Sequence, residues 1–192
     1  CLDPSRLETL ITKRTKAIIV CDYGMRLANH DMIKLIAKKY NLRILHDAAH
    51  SFGSTYKNKK IGSFSDITMF SFDPVKTITA IDGGAVIVKT KKEKDKAHKI
   101  RLMGMGQKTN TLYKNKRSFD YDVSVHGYRY HLANVHAAVG VSQIKNFNKI
   151  KKTRIDTVKY YNKHIIENVL LKKPFLNKGC VPFIYVLRIK KN

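Results

Sequence analysis

Four residues of this chain have the types and spacing to act as one chemical unit: Asp47, His50, Ser71 and Lys76. A lysine amine becomes a Schiff-base nucleophile when burial or nearby cations keep it partly neutral, and that is the work open to Lys76. Asp47 offers an anion for a protonated ring nitrogen. Ser71 and His50 offer donors for phosphate and phenolate oxygens. The four fall in two segments, Asp47-Ala48-Ala49-His50 and Ser71-Phe72-Asp73-Pro74-Val75-Lys76, and Asp82-Gly83-Gly84 follows. Taken singly, each has an ordinary explanation: a solvated lysine, an aspartate capping a turn, a polar residue in a helix's first turn, a serine at a strand end. Gly83 and Gly84 suit a tight turn into the next strand. Their joint occurrence in this order is what points to a site.

An amine, an anion and oxygen-directed donors are together the groups needed to hold pyridoxal phosphate, whose ring accepts electrons when a Cα–H bond breaks. For them to meet, the backbone must deliver them to one edge. Residues 17–21 and 42–45 are apolar runs of the kind that form buried parallel strands. Between them, residues 31–40 place Met32, Ile33, Ile36 and Ala37 on one helical face. Two more short strands are expected at 67–72 and 85–88, separated by the breakers Pro74 and Gly83-Gly84. Pro4-Ser5 opens a short helix through Leu10, with Ser5 as its cap and Glu8 at the capping-box spacing. Residues 91–102 read as a basic helix, and from Asn134 the apolar spacing predicts one long or kinked helix in a region that Pro174 ends. Residues 181–189 read as a strand. The early strand–helix–strand alternation predicts an α/β sheet with right-handed crossovers. Ligands collect at the carboxyl ends of strands in such sheets, and Asp47, Ser71 and Lys76 all follow predicted strands.

These segments, in wording and order, resemble the DegT-type nucleotide-sugar aminotransferases from about residue 2 to about residue 166. The resemblance implies the central part of a fold-type I aminotransferase large domain, a mostly parallel sheet flanked by helices, at 1–148. Residues 149–192 would then hold a linking helix and the start of a small C-terminal α+β domain. Pyridoxal 5'-phosphate is the implied cofactor. Lys76 would carry it in a Schiff base and shuttle a proton, Asp47 would pair with the ring nitrogen, His50 with the ring oxygen and Ser71 with the phosphate. The run Gly127-Tyr128-Arg129-Tyr130-His131 resembles a family motif whose asparagine reaches the cofactor phosphate across a dimer interface. Arg129 stands at that asparagine's place, and a guanidinium fork can grip phosphate. The implied reaction moves an amino group, from glutamate, onto a keto-deoxysugar nucleotide in amino-sugar and polysaccharide biosynthesis. A homodimer with shared active sites is implied as well. Family relatives that dehydrate a sugar lack the lysine, so Lys76 argues against that chemistry. The family's N-terminal Gly-Thr pair, its ring-stacking aromatic and the end of its small domain find no match among these 192 residues, so about half of the cofactor site is expected to lie outside them.

Composition narrows the alternatives. An apolar share of 43% argues against disorder. No run approaches the roughly 18 apolar residues of a membrane span. Cys1, Cys21 and Cys180 lack paired or metal-like spacing, and Cys1-Leu2-Asp3-Pro4 has no signal-peptide pattern, so a soluble, cytoplasmic protein is expected. The formal charge of +24 raises nucleic acid as a partner, but 29 of the 38 basic residues are lysines spread along the chain. Nucleic acid is therefore the weaker reading. The rival to an enzyme is a catalytically inactive fragment or basic binding module that keeps the fold without the cofactor. It would bind nucleic acid with steep salt dependence.

Overall fold

Alternating burial along short apolar segments builds the sheet that carries the candidate site. In the computed structural model, which describes residues 1–106 and 122–190, β1 (Ala17–Cys21) leads into α2 (His30–Lys39), preceded by the short α1 (Leu7–Leu10). Strand β2 (Arg43–Asp47) pairs in parallel with β1, setting Ile18 opposite Ile44 and Cys21 opposite Asp47. A hairpin of β3 (Thr55–Tyr56) and β4 (Lys59–Lys60) comes next, and its tip residues Lys57 and Asn58 take positive φ. Strand β5 (Ile67–Ser71) then adds in parallel to β2, with His46 opposite Thr68 and Asp47 opposite Met69. Strand β6 (Gly84–Val88) completes a four-stranded sheet in the order β1-β2-β5-β6. The expected α/β sheet with parallel pairing is therefore present.

Strand alternation sends Ile18, Val20 and Ile44 to one face, where they pack with Leu7, Ala28, Ile33, Ile36 and Ala37. Asn29 caps α2, its Oδ1 accepting the Met32 N–H at 3.2 Å. The helix buries His30, Ile33, Ile36 and Ala37, whereas Met32, expected on that face, is 44% exposed. His30 takes the place one turn before Ile33 instead. The first cap also differs from expectation: Asp3, not Ser5, accepts the Ser5 N–H at 3.0 Å, and Glu8 pairs with Lys39 across the surface.

The backbone divides into two compact units, Cys1–Ile87 with Val135–Asn192, and Val88–Asn134. In the second, α3 (Lys91–Arg101) starts with a reciprocal capping box between Thr90 and Glu93. In the first, the predicted long helix is broken at Asn146 into α4 (Asn134–Lys145) and α5 (Phe147–His164). The Asn146 amide donates to the Ser142 carbonyl at 3.0 Å, a local bond that competes with helix continuation. Helix α5 stops at His164, ten residues before Pro174, because Ile165 is already extended. The predicted strand at 181–189 is largely absent: β7 (Leu171–Lys172) pairs only with β8 (Arg188–Ile189). The chain before β8 spends its backbone groups singly. Val181 N–H donates to Ser54 Oγ, the Pro182 and Phe183 carbonyls accept from Arg154, and Pro182 has no N–H to give a ladder. Among the described residues no helix is long and apolar enough to cross a membrane.

Candidate active site

The carboxyl edge of β1, β2 and β5 gathers most of the residues singled out in sequence. Asp47 is the last residue of β2 rather than the first after it, and its register neighbours are Cys21 and Met69. The strand ladder continues past it, Asp22 N–H donating to the Asp47 carbonyl at 3.2 Å and Ala48 N–H to the Met69 carbonyl at 2.9 Å. One carboxylate oxygen of Asp47 accepts the Ala49 N–H at 3.1 Å, and among the described residues the other has no hydrogen-bond partner. Ser71 ends β5, two residues beyond Met69 on the same side of the strand. Its Oγ accepts the Asp73 N–H at 3.4 Å.

A turn then delivers Lys76. Asp73 Oδ1 accepts from Val75 N at 3.2 Å and the Asp73 carbonyl accepts from Lys76 N at 3.0 Å, with Pro74 in the second position. Aspartate first and proline second is the sequence preference of a type I turn. The segment behind it is tied back to β5, since Ala80 N–H and Thr79 Oγ1–H both donate to the Phe72 carbonyl and Phe72 N–H donates to the Gly83 carbonyl. Gly84 sits so close to the Phe70 carbonyl that any side chain there would collide with backbone. The Gly83-Gly84 pair thus places the lysine turn.

Three of the expected site residues lie within electrostatic reach of one another. Burial, and secondarily the Lys76 charge, lowers the pKa of His50, while Asp47 opposes this. Burial raises the Cys21 thiol, with the Asp47 and Asp22 carboxylates adding to it and Lys76 opposing. Asp47, His50 and Lys76, together with Cys21, therefore share one electrostatic neighbourhood. His50 Nδ1 accepts the Gly24 N–H at 3.4 Å, which puts its proton on Nε2. The His50 ring packs at a 32° tilt against Phe183, with centroids 4.1 Å apart, and its centroid lies 5.2 Å from that of Tyr23. The Lys76 ammonium lies 5.0 Å from the centroid of the same Phe183 ring. Among the described residues Lys76 has no ion-pair partner. Arg129 belongs to the other compact unit, where it is exposed, bridges Leu102 through the backbone and is flanked in sequence by Tyr128 and Tyr130, whose rings stack on each other.

Two features of the site were missed in reading the sequence. Phe183 meets His50 from far along the chain, in a stretch read as an ordinary strand. Behind the site edge, Asp22, His30 and His46 form a fully buried cluster. Asp22 Oδ2 meets His46 Nε2 at 2.8 Å, and Oδ1 meets both His30 Nε2 at 3.0 Å and Ala28 N at 2.9 Å. Burial alone would raise the Asp22 pKa, but the bonds from His30, His46 and Ala28 and the His46 charge outweigh it and hold the carboxyl well below its usual range. A strand-end aspartate and two histidines within 24 positions were the available signal.

Sequence and structure comparisons agree on the kinship. The sequence pattern of the DegT/DnrJ/EryC1/StrS aminotransferase family matches residues 1–189. This chain belongs to that family. It is 36% identical over 170 residues to the UDP-4-amino-4,6-dideoxy-N-acetyl-beta-L-altrosamine transaminase of Campylobacter jejuni, covering 87% of this chain and 43% of the relative. Over 165 residues it is 34% identical to the GDP-perosamine synthase of Caulobacter vibrioides, covering 85% and 42%. The structure of Helicobacter pylori PseC, an aminotransferase involved in the biosynthesis of pseudoaminic acid, superimposes with a TM-score of 0.89 at 29% identity, over 99% of this chain and 50% of that one. The chain thus spans under half the length of these two curated relatives.

The donor set fits pyridoxal phosphate at its ring and aldehyde end. Among the described residues Lys76 is an amine without a carboxylate partner and Asp47 keeps one carboxylate oxygen unbonded, and His50 has a donor on Nε2. At the phosphate end these units supply the Ser71 hydroxyl.

Proposed function

We propose that this chain forms the lysine-bearing part of a pyridoxal-phosphate-dependent aminotransferase. Its acceptor would be a nucleotide-linked keto-deoxysugar and its donor glutamate. The supporting observation is that Asp47 ends β2 and the Asp73–Lys76 turn follows β5 at the carboxyl edge of a parallel sheet, with His50 and Lys76 both against Phe183, in a member of this family. When bound, the cofactor supplies an aldehyde that takes up the amino group and a ring that accepts electrons from the breaking Cα–H bond.

The chain's own residues would divide the remaining work. Lys76 Nζ, placed by the Asp73–Lys76 turn, would hold the group covalently and, once freed, would take up the proton leaving the donor carbon. Asp47, with its unbonded oxygen, keeps a proton on the ring nitrogen. The neutral His50 donates from Nε2 to the ring oxygen. Ser71 Oγ serves the phosphate, joined in a homodimer by Arg129 of the other subunit through a charged fork. Phe183, lying against both His50 and Lys76, excludes water from the amine. The substrate class rests on the names of the Campylobacter and Caulobacter relatives, both enzymes of nucleotide-linked amino sugars, and the product would feed amino-sugar or polysaccharide synthesis in the cytoplasm.

Borohydride reduction of the chain after addition of pyridoxal phosphate, followed by peptide mapping, tests the reading. Label confined to Lys76, and abolished in Lys76→Ala, is the expected result. Label scattered over the many surface lysines, unchanged by Lys76→Ala, would overturn it.

A further inference from the structure

The buried Asp22 carboxylate is bonded to none of the side chains assigned above among the described residues, yet it is linked to them by an unbroken series of contacts. Asp22 follows β1 directly, and its carboxylate is gripped from three sides by His30 of α2, His46 of β2 and the Ala28 N–H. Between Asp22 and Ala28 the chain makes a tight turn closed by reciprocal bonds, Tyr23 N–H to the Arg26 carbonyl at 3.0 Å and Arg26 N–H to the Tyr23 carbonyl at 2.9 Å. At the tip, Gly24 faces the site with both of its backbone polar groups. Its N–H donates to His50 Nδ1, and its carbonyl accepts the Phe183 N–H at 3.1 Å. Gly24 is buried at φ 65°, with Ile184 packed 3.4 Å from where a Cβ would stand, so turn and site residues are fitted closely.

We infer that Asp22 is a positioning residue for the candidate cofactor site: its carboxylate clasps the base of the Tyr23–Arg26 turn so that the Gly24 peptide aligns His50 and Phe183 and fixes the His50 proton on Nε2. The inference rests on the cofactor-site reading given above. A carboxylate clasp suits this task for a physical reason. The turn has only a few backbone bonds of its own, and hydrogen bonds to a buried ionised acceptor are stronger and more directional than neutral ones. Gripping α2 and β2 with one carboxylate ties the turn to two elements that contribute to the hydrophobic core. It also ties it to the strand that ends in Asp47, because His46 is the residue just before. The orphaned Nδ1 of His46 agrees with a histidine whose bonding is committed on its other nitrogen.

The test combines pyridoxal phosphate, as the probe, with nitrogen-15 NMR of the histidine side chains on the whole chain. In the wild type, the label should be confined to Lys76 and His50 should be a single Nε2–H tautomer. In Asp22→Asn, half-maximal Lys76 labelling should require about tenfold more pyridoxal phosphate, and His50 should become a mixture of tautomers. Leu7→Ala, a cavity in the core beneath the same sheet, is the control. It lowers stability but should leave both readouts at wild-type values. Should Asp22→Asn fail to fold, His30→Gln keeps the carboxylate and must move both readouts in the same direction by about threefold. An unchanged His50 tautomer in the folded Asp22 variant, or equal losses in Asp22→Asn and Leu7→Ala, would overturn the proposal. So would a stoichiometric metal ion retained by the purified chain and lost with Asp22, since the carboxylate would then be a ligand. Unselective labelling of the wild type would sink the cofactor reading alone, because the tautomer comparison needs no cofactor.

Discussion

Replacing Asp22 with alanine should destabilise the first unit by about 3–5 kcal/mol, the usual consequence of removing one partner from a buried, charge-assisted set. The structure shows why the loss is large. Three donors, Ala28 N, His30 Nε2 and His46 Nε2, converge on the carboxylate at 2.8–3.0 Å, and none can reach water once it is gone. Asp22→Asn keeps the shape and one acceptor oxygen, but its NH2 must face a donor. Placed toward His46, it requires that ring to accept on Nε2 and carry its proton on Nδ1, where the structure offers no partner. The asparagine variant should therefore lose less, about 2–3 kcal/mol. With an m-value of about 2 kcal/mol per molar urea, the midpoints should fall by about 2 M for alanine and about 1 M for asparagine at neutral pH. The acid limb gives an independent reading. Because the folded pKa of Asp22 is depressed below the unfolded value of 3.8, its stabilisation is complete above that value and is lost as pH falls through the folded pKa. The wild type should thus weaken relative to Asp22→Asn below about pH 4. An alanine midpoint within about 0.3 M of wild type at pH 7, or parallel acid limbs, would refute the account of the cluster as a carboxylate held charged by its donors.

Three further outcomes follow from the same coordinates. Gly84→Ala should lose about 1–3 kcal/mol in a urea titration, since the new methyl drives into the Phe70 carbonyl and parts β5 from β6; a neutral result would mean the strands are not so closely placed. Thiol modification in the folded chain should proceed in the order Cys1, Cys21, Cys180: Cys1 is exposed, Cys21 is half-buried beside two carboxylates, and burial pushes the Cys180 thiol up to about 11. His50 should titrate below its ordinary value of 6.5 by NMR because burial and Lys76 disfavour its charged form, so its share of stability is complete above that pH and declines as pH falls through it toward the folded pKa.

Much of the site could be read from the chain because it is built by local rules. The Asp73-Pro74-Val75-Lys76 turn forms through bonds among neighbours, and the apolar runs at 17–21 and 67–72 announce strands by composition, although burial along β1 alternates. Asp47 and Lys76 could be assigned to strand ends without knowing what lay beside them. Segments whose structure depends on distant partners were not legible in the same way. Met32 looked as fit for the core as His30, and only the position of Asp22 decides that the histidine turns inward. Residues 181–187 carry a strand's composition but lie along Ser54, Gly24 and Arg154, so their backbone never finds a ladder. Arg129 was joined to the site by motif alone, as a contact to a second subunit's cofactor, and within one chain it belongs to the other compact unit. The sequence by itself determined which groups could do chemistry and which short elements would hold them, because turn and strand preferences act over a few residues. Only the tertiary structure decided that Phe183 would lie against His50 and Lys76, and that Asp22 would be ringed by donors. Those meetings depend on the register of parallel strands and on the path of a remote segment, which no local preference encodes.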